Sequence, residues 1–379
     1  MRVAYFSPVP PERTGIAAYS ALLIPELERR LDVVVQPRGV TEPSGDVDLA
    51  VYHVGNNVAG HGWIVEALKR RPGLVVLHDA VLHNLVADMT VGHGDHRAYV
   101  EAVGREGGPV GRELAIGAVA GDFPPLWTVR PENFSLAGYV LDHAEGVVVH
   151  SRYAEGIVRA TGYSGPVWQI PMPAWPTPAV GESHGLPRAG SPLVGCFGNL
   201  GLAKRVPQLL EAFALLRREH PEALLVLGGD VVPPLELEPH LARLGLEEGR
   251  SVRLLDYLGE DRLWSLLAAC DVCVALRWPT MGETSGMAIR ALSAACPLVV
   301  SDAGWFAELP DSIVAKVPVD EWEVETLAAY LDRLASDPDL RKRLGAAGAA
   351  YAKREHDLGR VADSYVAVFA EAVAAGARS

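Results

Sequence analysis

The stretch Arg277-Trp278-Pro279-Thr280-Met281-Gly282-Glu283-Thr284-Ser285-Gly286 gathers an arginine, a carboxylate, hydroxyls and the start of an apolar-striped segment carrying Ile289 and Leu292. A guanidinium and free N–H groups at a helix start suit a phosphate, and a carboxylate accepts the hydrogens of two sugar hydroxyls. A helix cap, with Thr284 or Ser285 serving only the helix, accounts for part of the pattern. Such a cap requires neither Arg277 nor Glu283. A second stretch, Gly198-Asn199-Leu200-Gly201-Leu202-Ala203-Lys204-Arg205, follows an apolar run. Pliable backbone followed by a cation makes a cradle for a diphosphate. Its glycine-to-lysine spacing is not that of a P-loop. The structural alternative is that Lys204 and Arg205 are solvated residues of a first helical turn.

The first half carries weaker signals. Gly15 closes the loop Ser7–Thr14 and opens a helix. No three-glycine dinucleotide fingerprint accompanies it, which disfavours NAD. Gly55-Asn56-Asn57 and His78-Asp79, with His83 a turn later, follow two further apolar runs. They read either as a polar lip for sugar hydroxyls or as a packed, hydrogen-bonded structural pair. Asp46 and Asp48 precede a strand and solvate a loop. No HExxH arrangement or complete cysteine–histidine ligand set appears, so no metal site is expected. No Gly-x-Ser-x-Gly elbow appears. Cys196, Cys270, Cys273 and Cys296 read as reduced, packed thiols.

These loops need a scaffold that places them together. Short apolar runs alternate with helical patterns along the chain: Val3–Phe6, Val33–Gln36, Leu49–His53, Leu74–Leu77, Val147–His150 and Val167–Ile170, then Leu193–Phe197, Leu224–Leu227, Val252–Leu254, Val272–Leu276 and Leu298–Val300. That alternation predicts parallel sheets covered on both faces, with ligands beyond the carboxyl ends of the strands. Residues 88–130 read as helical with a long loop. A proline-rich, then polar and glycine-containing stretch after Pro171 interrupts the alternation, as a linker does. The expected division is a domain over 1–175, a linker over 176–190, a domain over 191–358 and a last helix over 359–379.

Composition agrees with two cores: 379 residues, 49% hydrophobic and 21% charged, which is ample for a globular chain of two domains. A net charge of −13 argues against a nucleic-acid backbone as partner. No run approaches a membrane span and no signal peptide is legible, so a cytoplasmic protein is expected.

The second half resembles the nucleotide-sugar domain of family 4 retaining glycosyltransferases of the GT-B fold. The likeness runs through Val194–Asn199, Lys204-Arg205, Leu209–Phe213, Leu224–Gly229, Ala269–Val272, the Glu283 segment, Pro297–Asp302 and Glu308-Leu309. The first half is similar to the same family more loosely, through Gly15, Gly55–Asn57, His78-Asp79 and His150-Ser151. The resemblance implies an α/β fold of two tandem Rossmann-like domains facing a cleft, with the C-terminal helix crossing back to the first domain. It implies that Lys204 binds the donor diphosphate and Glu283 holds hydroxyls of the transferred sugar. Thr284 and the backbone around Ser285, Gly286 and Met287 would meet diphosphate or sugar. Gly15 would approach the phosphate, His78 the sugar near the reaction centre, and Leu258 the base; Asn56 and Asp79 would line the acceptor side.

Two positions depart from the family. Asn199 stands where an arginine is frequent, and Arg290 stands where a second glutamate binds the ribose; Arg277 or Arg205 would supply the missing charge. The activity implied is retaining transfer of a hexosyl group from a UDP- or GDP-type sugar, without metal or other cofactor, to a glycan, small-molecule or lipid-linked acceptor. Lipid-linked acceptors leave room for peripheral membrane contact, although no basic amphipathic stretch is seen. Lys204, Arg277 and the Glu283–Gly286 helix start would stabilise the departing diphosphate. The departures keep two alternatives open: a non-catalytic nucleotide-sugar-binding or scaffold protein of this fold, and a GT-B nucleotide-sugar epimerase.

Overall fold

A computed structural model describes residues 1–178 and 192–376 of the chain. In chain order the elements are β1 (Arg2–Phe6), α1 (Gly15–Glu28), β2 (Asp32–Val35), β3 (Leu49–Val54), α2 (Val58–Arg70), β4 (Gly73–Leu77), α3 (His83–Thr90), α4 (His96–Ala120), α5 (Leu126–Val129), α6 (Gly138–Leu141), β5 (Ala144–Val149), α7 (Arg152–Ala160) and β6 (Val167–Gln169). They continue with β7 (Leu193–Phe197), α8 (Val206–Glu219), β8 (Leu224–Gly228), α9 (Leu237–Leu244), β9 (Val252–Leu255), α10 (Glu260–Ala269), β10 (Val272–Ala275), α11 (Gly286–Ser293), β11 (Leu298–Ser301), α12 (Gly304–Glu308), β12 (Ala315–Val317), α13 (Glu323–Ser336), α14 (Pro338–Glu355) and α15 (Leu358–Gly376).

The chain forms two compact units. One comprises Met1–Pro173, Met281–Thr284 and Leu358–Ser379; the other comprises Ala174–Thr280 and Ser285–Asp357. The short stretch Met281–Thr284 therefore groups with the first unit. Of the expected linker, residues 179–190 lie outside the described residues.

In the first unit six parallel strands lie in the order β2-β1-β3-β4-β5-β6. Runs such as Leu49–Val54 and Gly73–Leu77 are buried at every position, because helices cover both faces of the sheet. The order reverses between β1 and β3, which opens a crevice beyond their carboxyl ends. Helix α1 starts there, capped by Thr14; the threonine hydroxyl accepts from Ala17 N at 3.0 Å. Helix α2 starts beyond β3, capped by Asn57, and α7 beyond β5, capped by Ser151. Residues 88–130 are mostly helical. Helix α4 runs 25 residues, with a kink where Gly108 takes φ 60° ahead of Pro109, the residue pair at which a long helix bends. Helix α15 packs here, with Tyr365 Oη 2.6 Å from Tyr19 Oη of α1 and Arg30 donating to Asp363 at 2.6 Å.

In the second unit the order is β12-β11-β10-β7-β8-β9. The first strand, β7, lies centrally, and the order reverses between β7 and β10. Doubly wound sheets bind ligands at that switch point. The loops leaving β7 and β10 are the two that the sequence marks as richest in chemistry.

Candidate functional site

In the first unit the end of β4 is the meeting point. His78 N donates to Val54 O at 2.9 Å, carrying the strand pairing into the loop. Asp79 Oδ2 accepts from Asn56 N at 2.7 Å. The side-chain amide of Asn56 is engaged on both atoms: it donates to Asn84 Oδ1 at 3.0 Å and accepts from Leu85 N at 2.9 Å. Asn56 and Asp79 thus lock the β3 and β4 loops to the start of α3. His83 is a structural histidine, bonded to Tyr99 Oη and Pro131 O.

The Glu283 loop docks at the same strand end. Ala80 N and Val81 N both donate to Met281 O at 2.8 Å. Gly282 sits at φ 78°. A Cβ there would lie 2.7 Å from Ala80 Cβ, so only glycine allows this approach. Glu283 Oε2 accepts from Met281 N at 2.7 Å, which turns the carboxylate over its own loop. Burial, and secondly the Glu283 charge, raise the phenol pKa of Tyr153 on α7, so these two side chains are neighbours. Thr284 Oγ1 is buried without a hydrogen-bond partner. Gly15 heads α1 with nothing within 4 Å of the place a Cβ would occupy.

In the second unit β7 is followed by Gly198 at φ 92°, exposed like Asn199. Lys204 folds back over that glycine: its Nζ donates to Phe197 O and lies 2.7 Å from the place of a Gly198 Cβ. Trp278 N donates to Ala203 O at 2.7 Å, which ties the β10 loop to the β7 loop. The Cys196 thiol is raised by burial and pulled down by Lys204 and Arg277, so both cations gather at this strand end. Leu258 lies over Gly228, its Cδ1 2.6 Å from the place of a Cβ. Ser285 caps α11, accepting from Ala288 N at 3.2 Å. That cap leaves the N–H groups of Gly286 and Met287 among the unpaired donors of the helix start, with Trp175 and Arg290 packed against Gly286.

Two arginines are occupied by protein partners. Arg205 makes a bidentate pair with Glu323 of α13, whose side chain is only 3% exposed. Its charge is therefore compensated inside the fold, although the sequence places it in the diphosphate cradle. Arg290 is buried, pairs with Glu260 of α10 at 2.7 and 3.2 Å, donates to Gly286 O, and stacks on Trp175 at 3.5 Å. A carboxylate thus stands beside the position where the family resemblance placed a glutamate. Sequence reading did not single out Glu260, Glu323 or His53, whose ring bonds to His78. Only the last had a usable signal, a histidine near the end of an apolar run. Among the described residues no three His, Cys, Asp or Glu side chains are grouped to hold a metal ion, and no helix is long and apolar enough to cross a membrane.

Residues 184–351 match the family model described as Glycosyl transferases group 1. The chain is 24% identical over 243 residues to the uncharacterized glycosyltransferase YqgM of Bacillus subtilis, covering 63% of this chain and 65% of that protein. It is 33% identical over 175 residues to the MMP alpha-(1->4)-mannosyltransferase of Mycolicibacterium hassiacum, covering 45% of this chain and 41% of that one. The chain thus spans less than two thirds of the length of these curated relatives. Among solved structures, sucrose-phosphate synthase from Thermosynechococcus elongatus superposes with a TM-score of 0.65 at 18% identity, covering 99% of this chain and 100% of that one. Anabaena Alr3699/HepE in complex with UDP gives 0.62 at 16% identity, covering 98% and 100%. These likenesses show the fold: α/β, with the two parallel six-stranded sheets of GT-B glycosyltransferases.

Proposed function

We propose that the chain is a retaining, metal-independent glycosyltransferase of family 4. It moves a hexosyl group from a UDP- or GDP-type sugar onto a glycan, small-molecule or lipid-linked acceptor in the cytoplasm. The observation that carries this reading is the β7 loop: a left-handed Gly198 under the Lys204 ammonium, inside the stretch matching the group 1 family. That loop leaves the sheet at its switch point, where ligands of such sheets bind. A diphosphate oxygen placed on that exposed glycine meets a cation.

In this reading Lys204 and Arg277 take up the charge of the departing diphosphate, assisted by the Gly286 and Met287 N–H groups. Asn199 borders the phosphates and Leu258 the base. Thr284, whose buried hydroxyl has no protein partner, and the cap Ser285 border the sugar side. In the first unit Glu283 accepts sugar hydroxyls, His78 approaches the sugar and Gly15 gives a phosphate access to the start of α1. Asp79 and Asn56 hold the acceptor-side loops. Arg205 supports the loop through Glu323.

The test is a melting-temperature series with UDP, GDP, ADP, TDP and their common sugars, since a ligand of the folded state raises the transition by linkage. A shift confined to one base identifies the donor class. Slow hydrolysis of that donor, with the anomer of the released sugar read by NMR, then tests transfer chemistry and retention, and product identity separates transfer from epimerisation. Absence of any shift at millimolar nucleotide would sink the reading in favour of a non-catalytic scaffold.

A further inference from the structure

Histidines stand at the carboxyl ends of three neighbouring strands: His53 on β3, His78 directly after β4 and His150 directly after β5. Their rings form a row, with centroids 5.3 Å apart for His53–His78 and 5.1 Å for His78–His150. Tyr5 lies 4.3 Å from His53, and Tyr19 meets His78 edge-on at 4.8 Å. Burial, and secondly the neighbouring histidines, hold the pKa of both His53 and His78 well below the usual histidine range. Both rings are therefore neutral.

One hydrogen bond joins the pair, His53 Nδ1 to His78 Nε2 at 3.0 Å. The remaining nitrogens, His53 Nε2 and His78 Nδ1, are buried and have no hydrogen-bond partner. Two neutral rings carry two ring protons. The shared bond takes one, so the other must sit on one of the two unpartnered nitrogens. If His78 donates, the surplus N–H falls on His53 Nε2, in a ring that is 0% exposed within β3. If His53 donates, it falls on His78 Nδ1, in a ring that is 6% exposed just past the strand end. In sequence His78 lies just ahead of Ala80 and Val81, whose N–H groups hold the loop carrying Glu283. A buried N–H without an acceptor is rarer and worse tolerated than a buried lone pair. Both nitrogens are buried, but only the His78 ring stands past its strand end, on the side where ligands of such sheets bind, so the arrangement that leaves the N–H on His78 is favoured.

We propose that His53 is a positioning residue: by donating from Nδ1 to Nε2 of His78, it fixes His78 as the Nδ1–H tautomer and leaves that N–H as a donor to an oxygen of the bound glycosyl donor. The identity of the ligand rests on the glycosyl-transfer reading, whereas the tautomer rests on the fold alone.

The test uses the full chain labelled with 15N in the histidine rings, with the His78 signals assigned through His78→Gln. The expected wild-type spectrum has a proton-bearing Nδ1 and a lone-pair Nε2 on His78. His53→Asn, whose side-chain N–H stands where Nδ1–H stood, keeps that pattern; His53→Leu loses it. With UDP-glucose and GDP-mannose as hydrolysis probes, His53→Leu lowers kcat about tenfold or more, by loss of an oriented donor, leaves KM nearly unchanged, and is rescued by His53→Asn. A wild-type His78 protonated on Nε2, or a tautomer unaltered by the leucine substitution, overturns the proposal. If the leucine variant does not fold, the wild-type spectrum decides alone. A wild-type chain that shows the Nδ1–H tautomer yet consumes no donor supports the His53 assignment and counts against the glycosyl-transfer reading instead.

Discussion

Gly15 shows how a single residue separates packing from function. Its backbone is helical, and no atom lies within 4 Å of the place a Cβ would take, so neither conformation nor packing demands glycine there. Alanine is the better helix former. Gly15→Ala is therefore expected to hold or raise the melting temperature. If a phosphate approaches this helix start, the same methyl obstructs it, and affinity for the nucleotide diphosphate falls about tenfold, or about 1.4 kcal/mol. Calorimetric titration of the variant beside its melting curve checks both halves, and unchanged affinity removes Gly15 from the donor site. Lys204 makes the complementary case. Its ammonium bonds a backbone carbonyl of its own loop, so Lys204→Met is expected to keep the native circular dichroism spectrum. It removes the cation facing the leaving group and lowers kcat for donor hydrolysis about a hundredfold or more.

Among elements, α8 and α13 are joined by Arg205 and Glu323, and this pair belongs to stability more than to the donor. Arg205 lies at φ 56°, at the turn into α8, and its guanidinium neutralises a carboxylate that is almost fully buried. Removing the arginine alone strands that carboxylate, at a cost of about 3 kcal/mol. Arg205→Met should lower the melting temperature by several degrees, the double variant Arg205→Met/Glu323→Leu should recover part of it, and donor affinity of the folded fraction should hold. A normal melting curve with lost affinity would return Arg205 to the diphosphate cradle. This pair also marks what sequence alone conveys. The strands were legible because parallel sheets covered on both faces need unbroken apolar runs, and the loops after β7 and β10 were legible because ligand chemistry collects there. Glu323 was not, because its partner is 118 positions away and nothing local distinguishes it from a solvated helix residue. The grouping of Met281–Thr284 with the first unit depends on Gly282 fitting against Ala80, a contact without local periodicity. Three-residue β12 has Lys316 at its centre and so shows no unbroken apolar run, and the kink at Gly108 disguised part of α4 as a loop.

For the molecule as a whole, two electrostatic arguments about acid oppose each other. A net charge of −13 at pH 7 shrinks as carboxylates take up protons, and relief of self-repulsion alone would make the fold more stable on mild acidification. The buried histidines act the other way. Burial holds His61 down at about 4 and His53 and His78 well below the usual range, with Arg38 adding to the effect on His61. Well above pH 6.5 these rings are neutral both folded and unfolded and contribute no slope. As pH falls below 6.5 the unfolded chain binds protons that the folded chain refuses, so stability is lost progressively until the folded rings titrate, His61 at about 4 and the other two well below the usual histidine range. Each ring contributes up to about 1.4 kcal/mol per pH unit, so three give about 4 kcal/mol per unit at the steepest. Against a typical total of about 5–15 kcal/mol, that outweighs diffuse surface repulsion within about two pH units. All three rings lie in the first unit, His53 and His78 beside Tyr5, Tyr19 and His150, and His61 bonded to His53 O. Acid should therefore melt that unit first and split the calorimetric transition in two. Scans from pH 8 to about pH 4.5 should show the split opening below pH 6.5, and His53→Asn/His78→Gln should reduce its slope. A single transition that stays flat or rises over that range would mean that the histidine row accepts protons in the folded state, and that net charge governs the acid response.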